Sequence, residues 1–275
     1  MFKSKRLLER QQGLKSFDDI ITDKKETVII HYSCESFITT HGNTPRITSI
    51  CVRNLNTAQS KSFSIHLQSQ FNKKDFTNLS LEEYDSLERE LLEEFYSYAE
   101  QNREKKWVHW NMRDSNYGFE AIANRYRILG GTPFELSDNR KYDLARIIGQ
   151  IYTFGYEKNK PNGRLLNLAE SNNISTKNAL TGEQEATAFE AKEYLKLHLS
   201  TLRKTDIIET IINRIENGTL KVKSRIREIY GLSIPGIIEI ARNSWWILLI
   251  VSILSFIIGA ALEPVIQNVF GTSTY

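Results

Sequence analysis

Three short runs of β-branched and aromatic residues open the patterned part of the chain: residues 27–32 (TVIIHY), 46–53 (RITSICVR) and 61–67 (KSFSIHL). Gly, Asn and Pro stand between them, a composition that predicts strands joined by turns. The connections are short, so sequential strands are expected to pair antiparallel. Over residues 80–102 the pattern changes to a 3.6-residue period, the mark of an amphipathic helix. Ser80, followed three positions on by Glu83, predicts a capping box at its start. Residues 107–110 (WVHW) read as a fourth strand, and residues 117–129 as a helix stopped by Gly130-Gly131. Further helices are predicted over 142–156, 163–171, 183–202 and 205–216, the last closed by Asn217-Gly218. Strands first, then alternation, then helices predicts an α/β fold whose sheet begins antiparallel.

Residues 243–262 (NSWWILLIVSILSFIIGAAL) contain no charged side chain. At about 1.5 Å per residue a helix of that length reaches roughly 30 Å, which predicts a transmembrane helix. Trp245 and Trp246 stand at its entry, where aromatic rings favour the headgroup level. Lys221, Lys223, Arg225, Arg227 and Arg242 precede it, and the 263–275 tail holds no Lys or Arg. This bias predicts a single-pass membrane protein with its soluble domain cytoplasmic, tail-anchored through contact of 243–262 with the lipid bilayer. The basic lead-in LKVKSRIREIYG reads either as a helix resting on anionic lipid or as the positive flank of the span. The expected organisation is a basic segment over 1–26, an α/β domain over 27–217, a basic juxtamembrane segment over 218–242, the span, and the tail.

Composition narrows this picture only a little. The chain has 275 residues, with 36 Lys and Arg against 33 Asp and Glu, a net charge of +3. That excess is too small to name a nucleic-acid partner by itself. Two cysteines, Cys34 and Cys51, lack metal-ligand spacing and fit a reducing compartment.

Alternation along a strand puts His31, Ser33 and Glu35 on one face if the first strand extends that far. Asp114 follows the WVHW strand at the start of the next helix. Glu35 and Asp114, brought to one sheet edge, would offer oxygen ligands to Mg²⁺ or Mn²⁺. Arg113, beside Asp114, is a candidate phosphate contact.

The element order and these fragments resemble the RNase H-like DEDD family of 3′–5′ exonucleases, the proofreading-exonuclease type. In SCES (Ser33 to Ser36), Glu35 fills the second acid of the family's first motif and Ser33 replaces the first. In HWNMRD (His109 to Asp114), Asp114 fills the third acid, and Asn111 stands one place late. In the late segment (Leu165 to Ala186), Lys177 stands where the general-base His would be and Gly182 where the last Asp would be. Glu183 and Glu185 lie close by, out of register. The resemblance covers roughly residues 27–202 and implies an RNase H-like mixed sheet flanked by helices. It implies Glu35, Asp114, Glu183, Glu185 and Lys177 as catalytic positions, with Glu35 and Asp114 on the metal. It implies Ser33, His109, Asn111 and Arg113 as nucleic-acid contacts.

The departures have a physical consequence. Two-metal phosphoryl hydrolysis needs several carboxylates to hold the ions and balance charge on the attacking and leaving oxygens. A serine brings no charge, and a lysine accepts a proton only if its pKa is strongly lowered. The expectation is therefore a membrane-tethered nucleic-acid- or nucleotide-binding protein with a degenerate exonuclease-like domain, with anti-phage or plasmid-conflict defence as one setting. The alternatives are an active metal-dependent, membrane-anchored nuclease, rescued by Glu183 or Glu185, and a non-catalytic protein-binding adaptor.

Overall fold

A computed structural model describes residues 5–36, 44–113, 117–231, 236, 238–240 and 245–270. It divides into two compact units, one of Gln12–Ser224 and one of Met1–Gln11 with Arg225–Tyr275.

The larger unit is built on five strands: β1 (Thr27–Cys34), β2 (Ile47–Asn54), β3 (Ser60–Ser64), β4 (Lys106–His109) and β5 (Lys141–Asp143). Their order is β3-β2-β1-β4-β5. β2 runs antiparallel to β1 and β3, whereas β4 runs parallel to both β1 and β5. The predicted antiparallel start is thus present, followed by a parallel half.

Every residue of β1 is buried, as expected for a central strand covered on both faces. Val28, Ile30 and Tyr32 enter one core with Leu87, Leu91 and Phe95 of α3 (Leu81–Gln101) and Ile122 of α4 (Phe119–Ile128). Ile29 enters the opposite core with Ile147 and Ile148 of α5 (Leu144–Tyr152), Leu165 of α6 (Arg164–Ser171) and Ile207, Ile208 and Ile211 of α8 (Tyr194–Glu216). Phe17 and Ile20 of α1 (Lys5–Thr22) join this second core. Each such side chain, fully buried, contributes about 1.5–3 kcal/mol.

The capping box forms as predicted: Ser80 accepts from the Glu83 N–H at 3.2 Å, and Glu83 accepts from the Ser80 N–H at 3.0 Å. Three boundaries differ from expectation. Ser64 ends the third strand by accepting from the Leu67 N–H at 3.2 Å, which starts α2 (Ile65–Phe71). β5 occupies the first part of the region predicted as helix 142–156, because Asp143 caps α5 instead of extending it. The last helices divide at Ala191–Glu193, between α7 (Gly182–Glu190) and α8, with Lys192 at φ 55°. Thr205, read as a helix start, lies inside α8 and donates to the Leu202 carbonyl at 2.8 Å.

The smaller unit holds the start of α1, α9 (Ile226–Tyr230) and α10 (Trp245–Phe270). Arg6 Nε donates to the Ile229 carbonyl at 2.9 Å, and the Arg10 guanidinium lies 4.7 Å from the centroid of the Tyr230 ring. Within the basic N-terminal segment, residues 5–22 form one helix, α1.

The expected transmembrane helix over 243–262, and with it the single-pass membrane localisation, requires correction. Among the described residues no helix is long and apolar enough to cross a membrane. Residues 243 and 244 lie outside the described residues. Residues 263–270, assigned to the tail beyond the span, belong to helix α10, which continues to Phe270.

Candidate functional site

The parallel half of the sheet creates a recess at one edge. Ile30 of β1 pairs with His109, the last residue of β4, and His109 pairs with Asp143, the last residue of β5. β1 continues through Cys34, where its partner is β2. The chain leaves β1 toward β2 and leaves β4 toward β5, in opposite directions. Such a switch point, beyond the carboxyl ends of parallel strands, is where open α/β sheets place ligands.

A cavity of about 390 Å³ lies there. His31 reaches it from β1, Asn111 and Arg113 from the turn after β4, Arg146 from the first turn of α5, and Lys204 from α8. Arg164 and Gly163 reach it from the start of α6, and Thr181 and Gly182 from the start of α7. The first turns of three helices therefore border one cavity. Helix N-termini carry about half a positive charge each; α5 is capped by Asp143, which accepts from the Arg146 N–H at 3.3 Å, and α7 by Thr181, which accepts from the Gln184 N–H at 3.3 Å. Gly163, at φ 86°, is the cap residue of α6 and makes no side-chain cap.

Among the described residues walling this cavity, none is Asp or Glu. Two of its cations have carboxylate partners set behind the wall: Arg113 pairs with Asp143, and Lys204 Nζ donates to Glu185 Oε1 at 2.7 Å. Arg146 and Arg164 have no carboxylate partner among the described residues; Arg164 lies over the Tyr156 ring at 5.3 Å. His31 is 5 % exposed, and its Nδ1 has no hydrogen-bond partner. Burial, reinforced by the Lys204 charge, holds its pKa well below the ordinary imidazole value, so the ring is neutral.

The turn after β4 is braced from both sides. The Met112 N–H donates to His109 Nδ1 at 3.1 Å, and the Asn111 N–H donates to Asp143 Oδ1 at 3.1 Å. Asn111 takes φ 55°, a conformation its short polar side chain tolerates. Arg113 Nη2 donates to Asn111 Oδ1 at 3.2 Å. Burial, partly offset by Asp143, lowers the His109 pKa to about 4. His109 faces a second, larger groove of about 1190 Å³, which Arg113 and Arg146 also wall.

The sequence-derived site residues fall into separate places. Ser33 is buried opposite Ser49, and its Oγ has no partner. Glu35 lies just beyond β1, where its carboxylate accepts from the Arg46 N–H at 3.3 Å. Asp114 lies outside the described residues. Lys177 is exposed on the loop before α7, and Glu183 is exposed in the first turn of α7. Glu185 is half-buried and accepts from Ser200 Oγ at 2.9 Å as well as from Lys204. Among the described residues, no three His, Cys, Asp or Glu side chains come together in a way that could hold a metal ion. Glu35, Glu183 and Glu185, the acids described for an Mg²⁺ or Mn²⁺ centre, do not form a ligand set.

Of the cavity residues, Arg146, Arg164 and Lys204 carried no motif in the sequence. Arg146 and Arg164 lie in first turns and Lys204 inside α8, and only the fold brings them together. No protein-family model, curated protein or solved structure matches the chain.

Proposed function

We propose that this chain recognises a phosphate-bearing ligand, a nucleic acid or a nucleotide, in the cavity at the β1–β4 switch point, and does not hydrolyse it. The observation that carries this reading is the cavity wall, which among the described residues holds Arg113, Arg146, Arg164 and Lys204 and no carboxylate. Guanidinium groups match phosphate oxygens in pairs, and helix N-termini add backbone donors aimed at the same anion. Within a recess of effective dielectric near 20, two unit charges about 4 Å apart attract by ~4 kcal/mol. Hydrolysis by two metals requires acids in place of those cations. The mixed sheet and its antiparallel start support an RNase H-like, exonuclease-type framework for this binding role.

The test mixes the full chain with labelled single-stranded DNA, RNA and nucleotides, with and without Mn²⁺, and scores binding and cleavage together. Binding without cleavage is expected. Mn²⁺-dependent cleavage lost on Glu35→Ala and Asp114→Ala would establish a nuclease instead. Neither binding nor cleavage would leave the domain as a protein-binding adaptor.

A further inference from the structure

Resting on the phosphate-recognition reading above, we infer that the cavity selects a terminal phosphate monoester carried on a small organic body over an internal phosphodiester. Size is the first argument. The volume of about 390 Å³ lies near the lower end of the ~300–1,000 Å³ typical of small-molecule sites. A surface that tracks a strand follows the backbone over several nucleotides, about 4–16 per module in common single-strand binders.

Charge is the second argument. Asp143 offsets Arg113 and Glu185 offsets Lys204, so among the described residues Arg146 and Arg164 supply the unbalanced charge of the wall. A monoester carries about −1.5 to −2 near neutral pH, and an internal diester carries a single negative charge. The two uncompensated guanidiniums balance the monoester and over-balance the diester.

The third argument is His31. Its ring is buried to 5 % exposure on the cavity wall, and its Nδ1 lacks a partner among the described residues. A buried ring nitrogen without a partner is costly, and a ligand hydroxyl or protonated oxygen in the cavity would satisfy it. Trp110, Tyr117, Phe154 and Leu165 supply apolar wall for the organic body. A free nucleoside monophosphate and the phosphorylated end of a strand share this chemistry.

The experiment titrates the full chain, in EDTA, with 5′-AMP, adenosine, a 5′-phosphorylated single-stranded oligonucleotide and the same oligonucleotide ending in a hydroxyl. Inorganic phosphate serves as competitor. Gly182→Asp is run in parallel: a Cβ at Gly182 meets nothing within 4 Å, and an acid in a first helical turn favours the helix. At least one monoester probe is expected to bind and to be displaced by phosphate. Its unphosphorylated counterpart should bind at least about tenfold more weakly. Gly182→Asp should lose monoester affinity at least about tenfold with no fall in its unfolding midpoint. AMP alone would identify a free nucleotide as the source, and the phosphorylated strand alone a strand end. Equal binding of the two oligonucleotides, unaffected by Gly182→Asp, would overturn the inference and leave the phosphate-recognition reading standing. Absence of binding by every phosphate-bearing probe would overturn both.

Discussion

Lys204 Nζ donates to Glu185 Oε1 at 2.7 Å, and Glu185 also accepts from Ser200 at 2.9 Å. Glu185 was one of two acids able to rescue a metal centre from the sequence alone. In the fold it is the counter-ion of a cavity cation. Replacing Glu185 by Gln keeps an acceptor of the same shape and removes the charge. Glu185→Gln is therefore expected to tighten phosphate binding by up to about tenfold, or ~1.4 kcal/mol, measured by titration with a phosphate monoester. Weaker binding, or loss of a Mn²⁺-dependent activity, would return Glu185 to the role of ligand.

A second ion pair joins α3 to α4 beside the core they share with β1. Glu88 is 0 % exposed. It accepts from the Ile47 N–H at 2.6 Å and from Arg125 Nη2 at 2.7 Å. Removing one partner of a buried pair leaves the other charge uncompensated, at about 3–5 kcal/mol. Arg125→Leu should lose stability in that range by urea denaturation, although Asp85 would no longer compete for the guanidinium. The double change Glu88→Leu with Arg125→Leu should cost less than the sum of the single changes. Additive losses would show that the two side chains are not coupled.

Gly118 is held by close backbone packing. Its φ is 147°, and a Cβ there would lie 2.3 Å from the Met112 carbonyl oxygen. Its N–H also donates to Tyr32 Oη at 2.9 Å, tying the turn after β4 to β1. Gly118→Ala is expected to destabilise by more than about 1 kcal/mol. A thermal midpoint equal to that of the unmodified protein would show that the turn relaxes freely.

Buried imidazoles set the pH response. Burial lowers His109 to about 4, lowers His198 to about 4, and holds His31 well below the ordinary value. An unfolded chain binds protons on these rings from about pH 6.5 downward, while the folded chain does not until near pH 4. Stability is therefore full above about pH 6.5 and falls as pH drops toward 4. Burial raises Glu88 to about 7 against the pull of Arg125, which gives a slope of opposite sign that three imidazoles outweigh. His109→Asn, whose amide oxygen replaces Nδ1 as the acceptor for Met112, should reduce the acid slope by about one proton. Urea midpoints at several pH values test this, and an unchanged slope would contradict it.

The sheet was largely legible because β1, β2 and β4 are rich in β-branched and aromatic residues and are bounded by turn residues. The Ser80 capping box was legible for the same local reason. β5 was not: KYD is three residues long and runs directly into an apolar helical pattern. The break at Lys192 was hidden because Ala191, Lys192 and Glu193 include neither Gly nor Pro. The candidate site was legible only in part. His31, Asn111 and Arg113 were visible as residues near a strand end. Arg146, Arg164 and Lys204 lie on three helices whose approach to one cavity depends on sheet order, which no local pattern encodes. The apolar run after residue 242 read as a membrane span on length and composition, whereas among the described residues no helix is long and apolar enough to cross a membrane.

The central claim is that cations and helix N-termini, not carboxylate-held metal, hold the phosphate. The most direct measurement is the affinity of the full chain for a phosphate monoester in excess EDTA and again in Mn²⁺. The account predicts binding of equal strength in both, weakened by Lys204→Met and by added salt. Binding that vanishes in EDTA and returns with Mn²⁺ would contradict it.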